Sequence, residues 1–533
     1  MQDLQVNVLP ASLSRPSRVC DGYGIWGGGG GPTTYRTNIT TAPKDSAPPR
    51  PTTPCPMIPF SLAAAPSATP EEQGYLKWFR GRSVLKLPGI FGSPFWDTVA
   101  LQASSNEPAV LHAILALGAV HKREVLDVDK PRTNHDMHDR QEQFILRQYS
   151  EAINCLQPHF LSRTKESVRI ALISCLLFVS LEFLRGHYRT GHSHLQNGLK
   201  LVDGKFTSNL WPSYDAIDQC IMETFVRLQL QVQMFGQNTV PVYSLGQSSV
   251  FGFPATNFTT LARARQHLEY LLKEIFHLSQ LRRHPAVCQQ DPPSPELLEA
   301  QSRVRAELEA WFRVLVASID GLQVHTDTRA AFSYRFLSLY HTMAGIMVET
   351  CLETASESTY EKFTSSFISL LAQAVDIPEA LYLIAINDSV SGHGFAPFGS
   401  TADIGWIPPL YYTALKCRKH RIRIHAVKLL SSTLHREGIW DSRLAGYIAQ
   451  EVMKIEERDF YKGLPVNDDF LTHVRPGVED LLLPALPESY LVKEIEVILP
   501  DDFTEKAKLM YKQRGSDGDW QIVSAELDVQ GAD

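Results

Sequence analysis

One stretch limits what this chain can fold into more than any other. Val168 to Leu184 is apolar on nearly every side. A helix of that kind is either enclosed by protein or crosses a membrane. A bilayer needs about 20 apolar residues. Here Ser174 and Ser180 interrupt the run, and Arg169, Glu182 and Arg185 close it. The stretch therefore reads as a central helix packed on several sides by protein. Gly186 ends it, as glycine does at a helix C-terminus. A second helix follows, with a narrow apolar stripe of Tyr188, His192, Leu195, Leu199 and Val202 at spacings of three and four. His194 falls off that stripe. Gly191 and Gly198 each lower helix propensity by about 1 kcal/mol, tolerable if they admit a neighbouring helix closely. The expectation is an α-hairpin at the middle of a large helical protein.

The rest of the chain can support such a core. Of 533 residues, 44% are hydrophobic and 20% charged. The formal net charge of -7 argues against a body wrapped in nucleic acid, because phosphate binding needs clustered Lys and Arg. Eight cysteines are scattered, and none lies within three residues of another, so no CxxC zinc half-site exists. Several sit inside apolar helices, where a free thiol behaves as a small hydrophobe. That usage fits a reducing compartment. With neither a signal-peptide pattern nor a membrane-spanning run, an intracellular protein is expected.

Residues 1–70 read as a disordered linker, with ten prolines between Pro32 and Pro70 and glycines at Gly27 to Gly31. Gly22, Gly24 and Gly27 spell GxGxxG there, but no strand precedes it and no helix follows, so the dinucleotide reading fails. From Tyr75 the chain is globular. Ser105-Asn106-Glu107-Pro108 reads as a helix start. Asp127 to Asp139 reads as a polar loop, and helices are expected over Phe144–Leu156, Ile217–Phe235, Leu261–Leu278, Pro295–Ile319, Ser333–Thr354 and Tyr360–Val375. Strand alternation appears only near the end, where Val492–Leu499 and Gln521–Val529 could pair as a small terminal β-hairpin. The predicted fold class is all-α, without fixed-period repeats.

A second informative block runs from Asp403 to Glu457. Pro408-Pro409 opens a helix to about Cys417. Arg421–Leu430 forms the next. Arg436-Glu437-Gly438 makes a turn, and Ile439-Trp440-Asp441 leads into a third helix with Asp441 or Ser442 as N-cap. Here the chain resembles a known family. IPPLYYTALKCR, HRIRIHAVKLL, HREGIWDS and Glu456-Glu457 resemble the C-terminal part of the fungal-specific transcription factor regulatory region. EPAVLHAILALGAVHK, LLFVSLEFLRGHYRTGHSHLQNGLKLV and FVRLQLQVQMFG resemble earlier parts, in the same order. The resemblance covers about residues 75–510 and implies a helical regulatory domain over 71–515, with a tail over 516–533. Proteins of this family bind DNA through a binuclear zinc cluster of six cysteines. Arg18-Val19-Cys20-Asp21-Gly22-Tyr23 resembles the end of that cluster, with Cys20 as sixth zinc ligand. Residues 1–19 hold no cysteine, and one thiolate cannot fill zinc's four-ligand shell. No cofactor is therefore expected in the chain as it stands, and zinc and DNA only with further upstream cysteines.

The resemblance implies a nuclear regulator of RNA polymerase II transcription, of a metabolic gene cluster. Its implied partners are the transcription machinery and, as homo- or heterodimer, related factors; no membrane is involved. Two alternatives stand beside it: a helical modulator acting without DNA contact, and a small-molecule binder or enzyme. G-x-S-x-G, H-E-x-x-H and G-x-x-x-x-G-K-[ST] are absent, so no catalytic residue is assigned. Trp311, Phe312, Tyr340, Trp406, Tyr411 and Tyr412 are either pocket walls or core. Lys416, Arg418, Lys419, Arg421 and Arg423 are candidates for a nuclear import signal or phosphate contact, against a solvated, partly salt-bridged helix junction with Glu437 and Asp441 near in sequence. Pro408, Pro409, Arg436, Glu437, Gly438 and Trp440 are structural residues of the family motif. His135/His138 and His192/His194 lack partners at metal-binding spacings. Asp501-Asp502-Phe503 and Asp517-Gly518-Asp519-Trp520 read as activation segments or polar loops.

Overall fold

The computed structural model describes residues 69–126, 140–162, 164–203, 215–236, 256–284, 292–353, 356–377, 380, 399–477, 481–501, 505–515 and 519–528. All belong to one compact unit, Ala64–Asp533. The expected linker, Cys20, the polar loop Asp127–Asp139 and the His135/His138 pair lie outside the described residues, as do Asp502-Phe503 and Asp517-Gly518.

The first helices are α1 (Pro70–Trp78), α2 (Ala100–Asn106), α3 (Pro108–Leu126), α4 (Arg140–Leu161), α5 (Lys165–Arg185), α6 (Tyr188–Asp203) and α7 (Ala216–Met234). Thr69 starts α1 with a capping box, its Oγ1 accepting from the Glu72 N–H while Glu72 accepts from the Thr69 N–H. Ser105 and Asn106, expected to open α3, instead close α2, and the Ser105 hydroxyl donates to the Leu101 carbonyl. Proline lacks an N–H and fits a first helical position; α3 accordingly begins at Pro108 itself.

The central helix is α5. By length and composition alone it could cross a membrane, but every residue from Ile170 to Leu184 is buried, and α3, α4, α6 and α7 pack around it. Each fully buried Leu or Phe along it contributes roughly 1.5–3 kcal/mol of transfer free energy. Gly186 closes α5 in the left-handed region at φ 81°, its N–H donating to the carbonyls of Glu182 and Phe183. The chain then folds back as α6. A Cβ on Gly191 would lie 2.6 Å from Phe183, and one on Gly198 would lie 2.6 Å from Phe225 and 2.7 Å from the Cys175 sulfur. Both glycines thus sit where α6 meets its neighbours, as expected. Gly198→Ala gains about 1 kcal/mol of helix propensity and meets an overpacking penalty of about 1–3 kcal/mol. The expected net loss is about 0–2 kcal/mol in urea unfolding; a stabilised variant would contradict this contact.

The next layer contains α8 (Leu261–Arg283), α9 (Pro295–Ala317) and α10 (Thr328–Thr350), mutually packed and joined to the first layer through α7. Trp311 is fully buried on α9, and its indole N–H donates to the Ala264 carbonyl at 2.8 Å. A third group comprises α11 (Thr364–Val375), β1 (Gly399–Thr401), α12 (Ile407–Lys416), α13 (His420–Ser431), β2 (His435–Glu437), β3 (Trp440–Asp441) and α14 (Ser442–Glu457). β1 pairs parallel with β2, and β2 antiparallel with β3. Asp441 is the N-cap of α14, accepting from the N–H groups of Arg443 and Leu444. Arg436 and Glu437, expected in a turn, lie in β2, and only Gly438-Ile439 turn between the strands.

The chain ends in β4 (Lys493–Ile498), β5 (Ala507–Arg514) and β6 (Trp520–Leu527), an antiparallel sheet with β5 in the middle. The expected hairpin partners are thus the two edges of that sheet and do not touch. β5 buries Ala507, Leu509 and Tyr511 on one face, and its lysines point elsewhere. The sheet's neighbour Asp501 reaches the start of α6, accepting from the Thr190 N–H at 3.0 Å and the Thr190 hydroxyl at 2.7 Å. An anion there also meets the positive end of the helix dipole. Asp501→Ala should lower stability by about 1 kcal/mol in thermal melting; an unchanged melting point would show the contact to be idle.

Candidate functional site at the basic helix junction

The family-motif residues build the start of α12. A helix leaves its first four N–H groups without internal partners. Pro408 and Pro409 occupy the first turn and bring no N–H groups. The remaining donors fall to Glu437, whose carboxyl oxygens accept from Gly405 at 2.6 Å, Trp406 at 2.8 Å and Ile407 at 3.3 Å. Burial pushes the Glu437 carboxyl up to about 8, against the pull of those donors. His435 stands 3.3 Å away and is driven down to about 3, chiefly by burial. Gly438 turns at φ 60° and donates to the Thr401 carbonyl at 2.8 Å; a Cβ there would strike Gln231 at 1.9 Å. Trp440 is fully buried, edge-on to Phe235 and Tyr411. Arg436 donates to Asp441 and to the Leu184 carbonyl near the end of α5. The motif thus joins the third group of helices to the central hairpin.

The basic run beside it is divided between interior and surface. Arg418 and Arg423 are among the largest fully buried side chains. The Arg418 guanidinium donates to the Glu357 carboxylate at 2.6 Å and to Glu456 at 3.4 Å. Arg423 pairs with Glu456 at 2.6 Å and donates to the Ala414 carbonyl at 2.7 Å. Lys416 reaches Glu357 at 3.0 Å. Burial alone would raise the Glu357 carboxyl, but Lys416 and Arg418 outweigh it and hold Glu357 below the usual range. Lys419 is half-buried at the start of α13. Arg421 is buried beneath the Phe470 ring, its guanidinium carbon 3.1 Å from the ring centroid. In the folded protein an import receptor or a phosphate therefore cannot reach Arg418 or Arg423, and Arg421 is covered by Phe470. The junction is salt-bridged, as the alternative reading expected, but it is buried rather than solvated. The ion partners are Glu357, Glu456 and Glu457, brought in from distant positions.

The other sequence candidates resolve similarly. His194, expected off the apolar stripe, is the buried member of its pair, within 2.7 Å of the Tyr149 hydroxyl; His192 is half-buried beside Gln196. Tyr340 donates to the Gly405 carbonyl at 2.7 Å, Trp406 stacks on His435, and Tyr411 stacks on Phe235. Phe312 stacks on His341, and Tyr412 lies against Phe367. These aromatics are packed against protein rather than arrayed around an open wall. Among the described residues no group of three or more His, Cys, Asp or Glu could hold a metal ion. Burial pushes the thiols of Cys175, Cys220 and Cys351 up to about 12 and that of Cys417 up to about 11, the opposite of what a zinc thiolate needs. The described residues do not fit zinc.

Residues 83–302 match the fungal specific transcription factor domain. Those residues carry this domain. The match spans α3, the central hairpin, α7 and α8, and this family is one of transcription factors, not of enzymes. The similarity extends beyond that segment. The chain is 22% identical over 461 residues to the aspercryptin biosynthesis cluster-specific transcription regulator atnN of Emericella nidulans, covering 70% of this chain and 72% of the relative. No solved structure matches the chain. Glu437 was not singled out as a helix cap from sequence, because it follows the start of the helix it caps by thirty residues.

Proposed function

We propose that this chain is the regulatory body of a nuclear regulator of RNA polymerase II transcription serving a biosynthetic gene cluster. The observation that carries this reading is the similarity to a cluster-specific regulator over 461 residues, well beyond the 83–302 domain match. The buried α5 hairpin, the Glu437-capped helix and the interior ion pairs support a body that holds a defined shape and works through its surface. Nothing in the described residues supplies a reactive centre. Its partners on this reading are the transcription machinery and related factors, met protein to protein.

The test is overexpression and deletion in the source organism with transcript profiling. A contiguous set of biosynthetic genes should rise or fall together by at least tenfold, and a fluorescent fusion should concentrate in the nucleus. Unchanged transcripts in both strains would sink the proposal. So would a fusion to a heterologous DNA-binding module that leaves a reporter at its basal level.

A further inference from the structure

α13 sorts its basic residues by face. Arg423 points inward to Glu456. Arg421, His425 and Lys428, at spacings of four and three, meet a single segment that crosses the outside of the helix. That segment leaves α14 at Arg458, turns at Gly463 with φ 88° and runs through 464–477 without forming helix or strand. Its central residues are Asn467-Asp468-Asp469-Phe470-Leu471-Thr472.

The contacts resemble a peptide lodged in a receptor. The Phe470 ring lies 3.1 Å from the Arg421 guanidinium carbon and 4.1 Å from the Lys428 ammonium, with the His425 ring edge-on at 5.1 Å. Cations over an aromatic face attract it electrostatically. Asp468 pairs with His420 at 3.0 Å, Lys428 donates to the Asp468 carbonyl, and His425 lies 2.6 Å from the Thr472 carbonyl. Between these anchors the segment faces solvent: Asp469, Leu471, His473 and Val474 are exposed. A strap with few buried apolar residues opens locally at small free-energy difference.

We propose that the outer face of α13 is a docking surface for an acidic–aromatic peptide of a partner protein, and that Asp468–Thr472 fill it as an internal ligand until such a peptide displaces them. The charge complementarity selects the class: a phenylalanine preceded by carboxylates, set on a helix face of Arg, Lys and His. Linkage through the chain gives the strap an effective concentration on the order of millimolar, so the free protein keeps the face covered. This inference stands on the geometry and does not depend on which genes are regulated.

The test uses the full chain and a fluorescein-labelled peptide of residues 465–475, followed by anisotropy. The peptide should bind the Phe470→Ala protein at least tenfold more tightly than the wild type. Adding Arg421→Ala should remove at least tenfold of that gain. Equal affinity for wild type and Phe470→Ala, or binding to neither, overturns the proposal. A second measurement needs no variant. Saturating peptide should speed tryptic cleavage of the wild type after Lys462 several-fold, and an unchanged cleavage rate overturns the displacement.

Discussion

Glu437→Ala is expected to lower stability by about 3–5 kcal/mol in chemical denaturation. Leaving a buried donor unmet costs about 1–3 kcal/mol, and this carboxyl serves the N–H groups of Gly405, Trp406 and Ile407 together. Glu437→Gln should lose about 1–3 kcal/mol, because its NH2 must face one of those donors. The pH dependence has a defined sign. Burial pushes the carboxyl from 4.5 up to about 8 in the folded protein, so between those values the folded state retains a proton that the unfolded chain has released. The contribution is complete below about pH 4.5, falls as pH rises towards 8, and is flat above. That decline should vanish from the Glu437→Ala profile. Identical pH profiles for variant and wild type would show that Glu437 keeps an ordinary carboxyl.

Arg418→Ala is the second large effect. Breaking a buried ion pair costs about 3–5 kcal/mol where the remaining charge is left unpaired; Lys416 stays on Glu357 and Arg423 on Glu456, so the loss is expected at the lower end, about 3 kcal/mol. Arg418 neutralises Glu357 and Glu456 at once, and Glu456 also accepts from the Val492 N–H at 3.0 Å. The loss should therefore loosen the segment leading into β4 as well as α12 and α13, visible as faster amide exchange at Val492. Replacing charge on the Glu357 side as well, with Arg418→Met and Glu357→Gln, should recover part of the stability, because Glu456 keeps Arg423. A single variant within 1 kcal/mol of wild type would mean that water already enters this network.

What was legible beforehand follows the range of the interactions. Gly186, Gly198 and Asp441 act on neighbours a few residues away or through helix geometry, and their roles could be read from spacing. The all-α class rested on the same local periods. β5 escaped because Ala507-Lys508-Leu509-Met510-Tyr511-Lys512 reads as a basic segment until Ala507, Leu509 and Tyr511 find a common buried face. The basic run at 416–423 looked solvated because Glu357 and Glu456 lie 61 and 38 residues from Arg418. Capping is sought just before a helix, yet no side chain at Trp406 caps α12; the cap arrives from β2.

The contact between Thr190 and Asp501 also sets a timetable. These residues are 311 positions apart. At a ribosomal rate of about 5–20 residues per second, the start of α6 waits roughly 15–60 s for its acceptor to be made. Over that interval the central hairpin stands without its final clasp, and the N-terminus of α6 is closed only once nearly the whole chain has been made.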